Sequence, residues 1–282
     1  MSNYTFIGDP LSESSVSINN GIRLADFGVH LLADSEEPAL PQTRDKTLVI
    51  PGRHGEYNFG SYFDARQLNL SCGFNNQATL ADAQQLIREL NTMLLDEYGR
   101  PKEVELVYDY EPDKLYKATL SGVVPVNRIS RAGTFVLPLK ASDPFAYSRI
   151  YADEIVWGSD VVTFEYNYLL GHDGLGGAID ITSPKAFIIT VDGYNVKPKF
   201  EIEGSATSLN ISANGNTIAL PPFNNETWKI DCENYTAVRN GVNVFGDLSF
   251  GEFVLYSGEN QVSIGGNGIN IKMRVKFRDK YM

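Results

Sequence analysis

Cysteine, histidine and tryptophan are scarce in this chain of 282 residues: two, three and two respectively. Cys72 and Cys232 are far apart, form neither a disulfide framework nor a zinc site, and suit a reducing compartment. His30, His54 and His172 stand apart from one another; none lies in an H-E-x-x-H pattern or beside a cysteine at metal-ligand spacing. No metal or cofactor is therefore expected. No apolar run approaches the roughly 20 residues of a membrane helix, so no insertion into a bilayer is expected. The first residues, MSNYTFIGDPLSESS, lack a basic flank and an apolar stretch and read as no secretory signal. The five Asn-x-Ser/Thr sequons (Asn3, Asn69, Asn210, Asn225, Asn234) then carry no glycosylation meaning. Basic residues are also in deficit. There are 24 Lys and Arg against 35 Asp and Glu, a net charge of −11, spread evenly along the chain. A protein that grips nucleic acid needs clustered cations to replace phosphate counterions, and this balance argues against that class.

Catalytic signatures are missing too. There is no G-x-S-x-G elbow, which leaves a serine hydrolase unsupported. The stretch Gly171-His172-Asp173-Gly174-Leu175-Gly176-Gly177 lacks the Gly-Lys-Ser/Thr ending of a phosphate loop and reads as a loop between strands. Asp109, Glu111 and Asp113 cluster around Pro112, but without the glycine and terminal glutamate of a calcium loop they read as a solvated turn. A glycosidase needs two carboxylates at a set separation, and sequence nominates no pair. No catalytic residue is assigned, and an enzyme is not expected.

What is present is strand-like. A hydrophobic share of 43% is ordinary for a globular protein, and at roughly 150 residues per domain the length suggests two. Val16–Ile18 and Ile22–Leu24 flank Asn19-Asn20-Gly21 as a hairpin, since Asn and Gly tolerate the positive φ of its turn. Further strands are predicted near Thr47–Ile50, Gln67–Cys72, Glu103–Tyr108, Tyr116–Val124 and Phe135–Leu139. One segment breaks the pattern. From Thr79 to about Tyr98, Leu80, Ala83, Leu86, Ile87, Leu90, Met93 and Leu94 form an apolar stripe at helical spacing. Thr79 and Asp82 make a capping box, and Gly99 and Pro101 are the predicted stop.

A boundary falls at Ser142-Asp143-Pro144-Phe145-Ala146-Tyr147, giving domains 1–147 and 148–282. Beyond it no comparable helix signal occurs. Strands are predicted near Ile155–Trp157, Val161–Tyr166, Ala186–Val191, Lys199–Glu203, Leu209–Ala213, Thr217–Leu220, Trp228–Asp231, Tyr235–Arg239, Glu252–Leu255, Gln261–Ile264 and Ile271–Phe277. Turns are predicted at Asn214-Gly215, Asn240-Gly241 and Ser257–Asn260. Many short strands with frequent turns point to a β-sandwich or jelly roll. The 15 Tyr and 15 Phe, with Trp157 and Trp228, suit β cores and flat interfaces. Exposed aromatics also stack on sugar rings, so Trp157 and Trp228 are candidate stacking residues for a second reading, a carbohydrate-binding module or adhesin recognising a cell-wall glycan.

The order of particular segments carries a resemblance. Ser17-Ile18-Asn19-Asn20 is followed by Leu24–Val29, by Ile50-Pro51-Gly52-Arg53-His54-Gly55-Glu56-Tyr57, by the single helix, and by Ala141–Tyr147. Lys197–Gly204, Trp228–Cys232, Gly251-Glu252-Phe253 and Gly258-Glu259-Asn260 follow in the second half. In this the chain resembles the distal tail (Dit) protein family of long-tailed, non-contractile phages. The resemblance implies a mainly β protein: an N-terminal ring-forming, β-barrel-like domain with one α-helix, then a galectin-like β-sandwich. It further implies a hexameric ring at the tail tip of the virion, assembled in the host cytoplasm. That ring would join the tail tube protein to a tail-associated lysin or tail fibre, and to receptor-binding proteins, with DNA passing through without specific binding. Arg53, His54, Glu56 and Tyr57, which mix charge and an aromatic around a glycine, are the expected ring contacts. An acidic lumen would let DNA pass without adhering. A variable extension is expected between Asp153 and Asn195.

Overall fold

The computed structural model describes residues 15–19, 21–74, 77–129, 131–155 and 177–282. The expected strands at Val161–Tyr166 and the end of Ile155–Trp157 lie outside them, as do Trp157, His172, most of the glycine-rich stretch and much of the expected extension. Two compact units are present: Met1–Ala146 with Met282, and Tyr147–Tyr281. No helix among the described residues is long and apolar enough to cross a membrane.

The first unit opens with the expected hairpin, β1 (Val16–Ile18) and β2 (Ile22–Arg23), with Ile18 opposite Ile22. Asn19 and Gly21 both hold positive φ in its turn. There follow β3 (Val29–Leu31), β4 (Thr43–Leu48), β5 (Tyr57–Phe63), β6 (Arg66–Phe74), helix α1 (Leu80–Leu94), β7 (Glu103–Tyr108), β8 (Lys114–Leu120), β9 (Val126–Ile129) and β10 (Ala132–Ala141). The antiparallel order β2-β1-β7-β8-β10-β6-β3, with β9 on β10, makes a curled half-barrel sheet. Its longest ladder joins β6 to β10, from Gly133 opposite Phe74 to Ala141 opposite Arg66. Leu68, Leu70 and Cys72 on β6 and Phe135, Leu137 and Leu139 on β10 alternate into one core, against Ala83, Leu86, Leu90 and Leu94 of the helix.

The helix forms for the reasons read from sequence. Thr79 Oγ1 accepts from the Asp82 N–H at 3.1 Å, and Asp82 Oδ2 accepts from the Thr79 N–H at 2.8 Å. Two expectations need correction. Leu80 is exposed, because its side chain precedes the turn that meets the sheet. The helix also ends at Leu94, four residues before the predicted end at Tyr98. Asp96 Oδ1 accepts from the N–H groups of Tyr98 and Arg100, a local pairing that competes with helical continuation. Gly99 takes its positive φ inside that turn.

The second unit begins in β11 (Ala146–Ser148) and is a β-sandwich, as the strand spacing predicts. One sheet orders β12 (Ile179–Ile181), β22 (Asn270–Lys276), β14 (Lys199–Ala206), β17 (Phe223–Asp231), β18 (Thr236–Arg239) and β19 (Val242–Asn243). The other orders β13 (Lys185–Val191), β21 (Gly258–Asn267), β15 (Ser208–Ala213), β16 (Asn216–Leu220) and β20 (Ser249–Phe250); β23 (Lys280–Tyr281) pairs with β11. Phe200, Ile202, Trp228 and Ile230 face Ile189, Leu209, Ile211, Val262 and Ile264 across a single core. Phe200 and Phe253 meet edge to face at 5.3 Å, a favourable quadrupole geometry. The expected Ser257–Asn260 turn is corrected: Gly258 already opens β21, and Asn260, 1% exposed, donates to the carbonyls of Ile189, Tyr256 and Gly258. Glu252–Leu255 forms no strand; its strand-type pairing is the bridge of Leu255 to Val196, while Phe253 and Leu255 are buried in the core.

Gly266 on β21 sits opposite Leu209 with φ +134°, and a Cβ there would lie 2.0 Å from the Ser208 carbonyl oxygen. Gly266→Ala is expected to destabilise the second unit by about 2–4 kcal/mol in urea denaturation, since both backbone and neighbour must give. Burial pushes the Asp279 carboxyl up to about 6, only partly offset by the N–H that Asp192 donates to it. Its folded-state pKa thus exceeds its unfolded one, so the contribution to stability is complete below about pH 4 and lost as pH rises through about 6. Asp279→Asn is expected to stabilise the protein by on the order of 1 kcal/mol at pH 8 and not at pH 4, measured by denaturation at both pH values.

Candidate functional site: an uncovered β-ribbon

β4 and β5 form a two-stranded sheet of their own, joined to no other strand among the described residues. Leu48 pairs with Tyr57, Thr47 with Asn58 and Thr43 with Phe63, and a register shift lies between Asp45 and Thr47. Gly60, at φ +109°, allows the shift on the opposite strand. Every residue of both strands is exposed. So are Val49 and Ile50, beyond the end of β4.

β4 is polar from Thr43 to Thr47, as expected of a ribbon in water, but β5 and the segment from Leu48 to Ile50 are rich in exposed apolar and aromatic side chains. Val49 is 65% exposed, Tyr62 60% and Phe59 58%, with Leu48, Ile50, Tyr57 and Phe63 beside them. A two-stranded ribbon without a face to bury is marginal in water, and contiguous apolar exposure of this kind marks interaction surfaces. Polar contacts on the ribbon are few: Ser61 donates to Asp45 at 2.5 Å, and the exposed pair Arg44–Asp64 stands at 3.6 Å. At its root the Asp64 N–H donates to the Gln42 carbonyl, one residue pair before β6 begins.

The four candidate contact residues come together here. Arg53, His54 and Glu56 occupy the exposed turn between the strands, and Tyr57 opens β5. The Arg53 guanidinium lies 4.0 Å from the Tyr57 ring centroid, a cation–π contact that presents both side chains as one patch. Gly52 and Gly55 hold positive φ within the turn. Sequence reasoning missed the rest of the ribbon. The strand expected at Thr47–Ile50 meets β4 only at Thr47 and Leu48, and the partner Tyr57–Phe63 was not legible, because aromatics stand on both phases and Gly60 interrupts them. That two-sided pattern was the available signal.

The other nominated residues fare differently. Trp228 is fully buried, its ring set against Phe223 at 6.0 Å with Arg239 over it at 5.3 Å. A ring with neither face open cannot stack on a sugar, which corrects the stacking expectation for Trp228; it stands at a core position of β17 because alternation points it inward. Trp157 lies outside the described residues. Asp109 pairs with Arg23 at 2.6 Å, while Glu111 and Asp113 turn to Lys114 at 2.7 and 4.0 Å. The three carboxylates are thus partly compensated by two cations of the same unit. Burial pushes both Cys72 and Cys232 up to about 12, which makes them inert core thiols.

This half-barrel with a projecting ribbon has relatives. Residues 22–141 match the family described as the phage tail protein RIFT-related domain. The first unit is therefore similar to a phage tail protein domain. Over its length the chain has the fold of a distal tail protein. The Dit protein of phage SPP1, a hub of the adsorption apparatus in phages infecting Gram-positive bacteria, superposes with a TM-score of 0.66 at 14% identity, covering 95% of this chain and 99% of that one. A chain of the phage P2 baseplate in its activated conformation with Ca superposes with a TM-score of 0.48 at 10% identity, over 95% and 99%. No curated protein matches the chain in sequence.

Because Phe59 and Tyr62 are exposed and belong to neither core among the described residues, Phe59→Ser with Tyr62→Ser is expected to shift the thermal midpoint by less than about 2 °C, read by circular dichroism.

Proposed function

We propose that this chain is the structural hub of a long-tailed, non-contractile phage's tail tip, a hexameric ring without catalytic chemistry. The observation that carries this reading is the β4–β5 ribbon, whose apolar side chains have no partner surface on their own ribbon. A closed ring is built from heterologous contacts, one face of a subunit meeting a different face of its neighbour. The ribbon suits that role: it is an arm whose two faces bury only when a second copy receives it. Arg53, His54, Glu56 and Tyr57 then lie at the contact, at the tip of the arm.

In this reading residues 1–147 form the ring and residues 148–282 form the sandwich that faces the other tail components. The ring joins the tail tube protein to a tail-associated lysin or fibre and to receptor-binding protein. It takes its place in the virion after assembly in the host cytoplasm. The likeness to the SPP1 hub protein supports the placement at the tail tip. The net charge of −11 supports passage of DNA without adhesion, since like charge keeps phosphate from settling on the lumen.

Light scattering after size-exclusion chromatography, with negative-stain imaging, tests the proposal on the full chain. Six-fold rings are expected, alone or on addition of the adjoining tail proteins. The Phe59→Ser, Tyr62→Ser variant is expected to remain a folded monomer under the same conditions, and Arg53→Ala with Tyr57→Ala to weaken association. A wild-type chain that stays monomeric with its tail partners present would overturn the reading.

A further inference from the structure

The second unit carries a feature that ring formation does not use. Along β14 the pairing with β17 slips between Gly204 and Ala206, and the chain bulges. Gly204 holds φ +135°, where a Cβ would lie 2.3 Å from the Asn270 carbonyl oxygen, and Asn225 on the facing strand holds φ +52°. Non-glycine residues at positive φ and bulges both cluster where a strand re-aims side chains toward a ligand. Here the bulge opens a concavity of about 460 Å³ lined by Ser205, Thr207, Phe223, Asn224, Glu226 and Arg239, among others. A second concavity of about 390 Å³ is lined by Gly204 and Asn225, the chain neighbours of Ser205 and Asn224. These volumes fall in the range of small-molecule sites.

Three properties of the lining select the ligand. First, its charges cancel. Arg239 grips Glu226 with two hydrogen bonds, of 2.5 and 2.8 Å, and the guanidinium holds that carboxyl below its usual range. Neither a phosphate nor a metal ion finds an uncompensated charge at this pair. Second, the lining is rich in hydroxyl and amide groups, already organised: Ser205 donates to Asn224 at 3.0 Å and accepts from the Asn225 N–H at 2.8 Å. Third, β14 is paired on both sides here, with Ser205 opposite Asn270 of β22 and Gly204 opposite Glu226 of β17. No strand edge is open at the bulge, so a peptide cannot enter by adding a strand.

We infer that the concavity formed by Ser205, Asn224, Glu226 and Arg239 binds a neutral saccharide. Vicinal hydroxyls of a pyranose match the alternating donors and acceptors of the fork and the amide. Trp228 takes part only as the support beneath Arg239. The site is independent of the ribbon and of ring formation.

Calorimetry and saturation-transfer NMR of the full chain with maltotriose, cellotriose and a galactotriose test the inference, with trigalacturonate and inorganic phosphate as charged controls. At least one neutral trisaccharide is expected to bind with Kd on the order of 1 mM, while the charged controls do not bind. Asn224→Ala, at an exposed position that leaves the core untouched, is expected to weaken binding about tenfold. Arg239→Lys, which replaces the fork with a point charge, is expected to do the same. Tyr256→Phe, outside the concavity, is expected to change nothing. The inference is overturned if none of the three neutral trisaccharides binds at about 10 mM, if only the charged controls bind, or if binding persists unchanged in Asn224→Ala.

Discussion

The pairing of β6 with β10 is the contact on which the first unit depends. It runs from Phe74 opposite Gly133 to Arg66 opposite Ala141, and its inward residues supply the centre of the core. Gly133 is required in it, since a Cβ there would meet the Asn127 carbonyl oxygen and the Phe74 ring, each at 2.7 Å. β6 begins immediately after the ribbon, so the rigidity of the core sets the direction in which the exposed arm leaves it. An arm rooted in a firm sheet presents its apolar side chains at low entropic cost, which favours association by pre-organisation.

The two units solve the problem of burying alternating side chains differently. The half-barrel covers its concave face with one capped helix, and Ala83, Leu86, Leu90 and Leu94 fill the gap. The sandwich uses a second sheet, so each inward residue meets another strand's side chain and no helix is required. In both, the exceptions to alternation are the informative places. The ribbon shows apolar side chains where polar ones are expected, and the bulge of β14 breaks register in the middle of a paired strand. Natural sequences give up local consistency at sites that serve another molecule.

Much of this was legible from residue order. Helix α1 announced itself by its stripe and its Thr79–Asp82 box, because both are local. Glu103–Tyr108 is a strand over the predicted range, and Asn214-Gly215 and Asn240-Gly241 turn the chain as their dipeptides require. The failures share a cause. Leu80 has the right spacing for the stripe, yet nothing in spacing says where the sheet beneath begins. Trp228 is an aromatic like any other in sequence, and only the facing sheet makes it core. The early end of the helix at Leu94 depends on where the Asp96 side chain turns, a choice between two local hydrogen-bond patterns that composition does not settle.

Sequence by itself determined the period of each segment, the capped helix, the turn positions and the acidic balance, since these follow from backbone preference and short-range pairing. It also carried the ordered motifs by which the chain resembles distal tail proteins. Tertiary structure decided which strands pair and which side chains remain outside. Both questions turn on partners distant along the chain: β6 finds β10 across more than a helix and three strands, while β4 and β5 find only each other. Exposure is a property of that arrangement. For this reason Phe59 and Tyr62, indistinguishable in sequence from the core aromatics Phe74 and Tyr108, are among the residues that the fold leaves exposed.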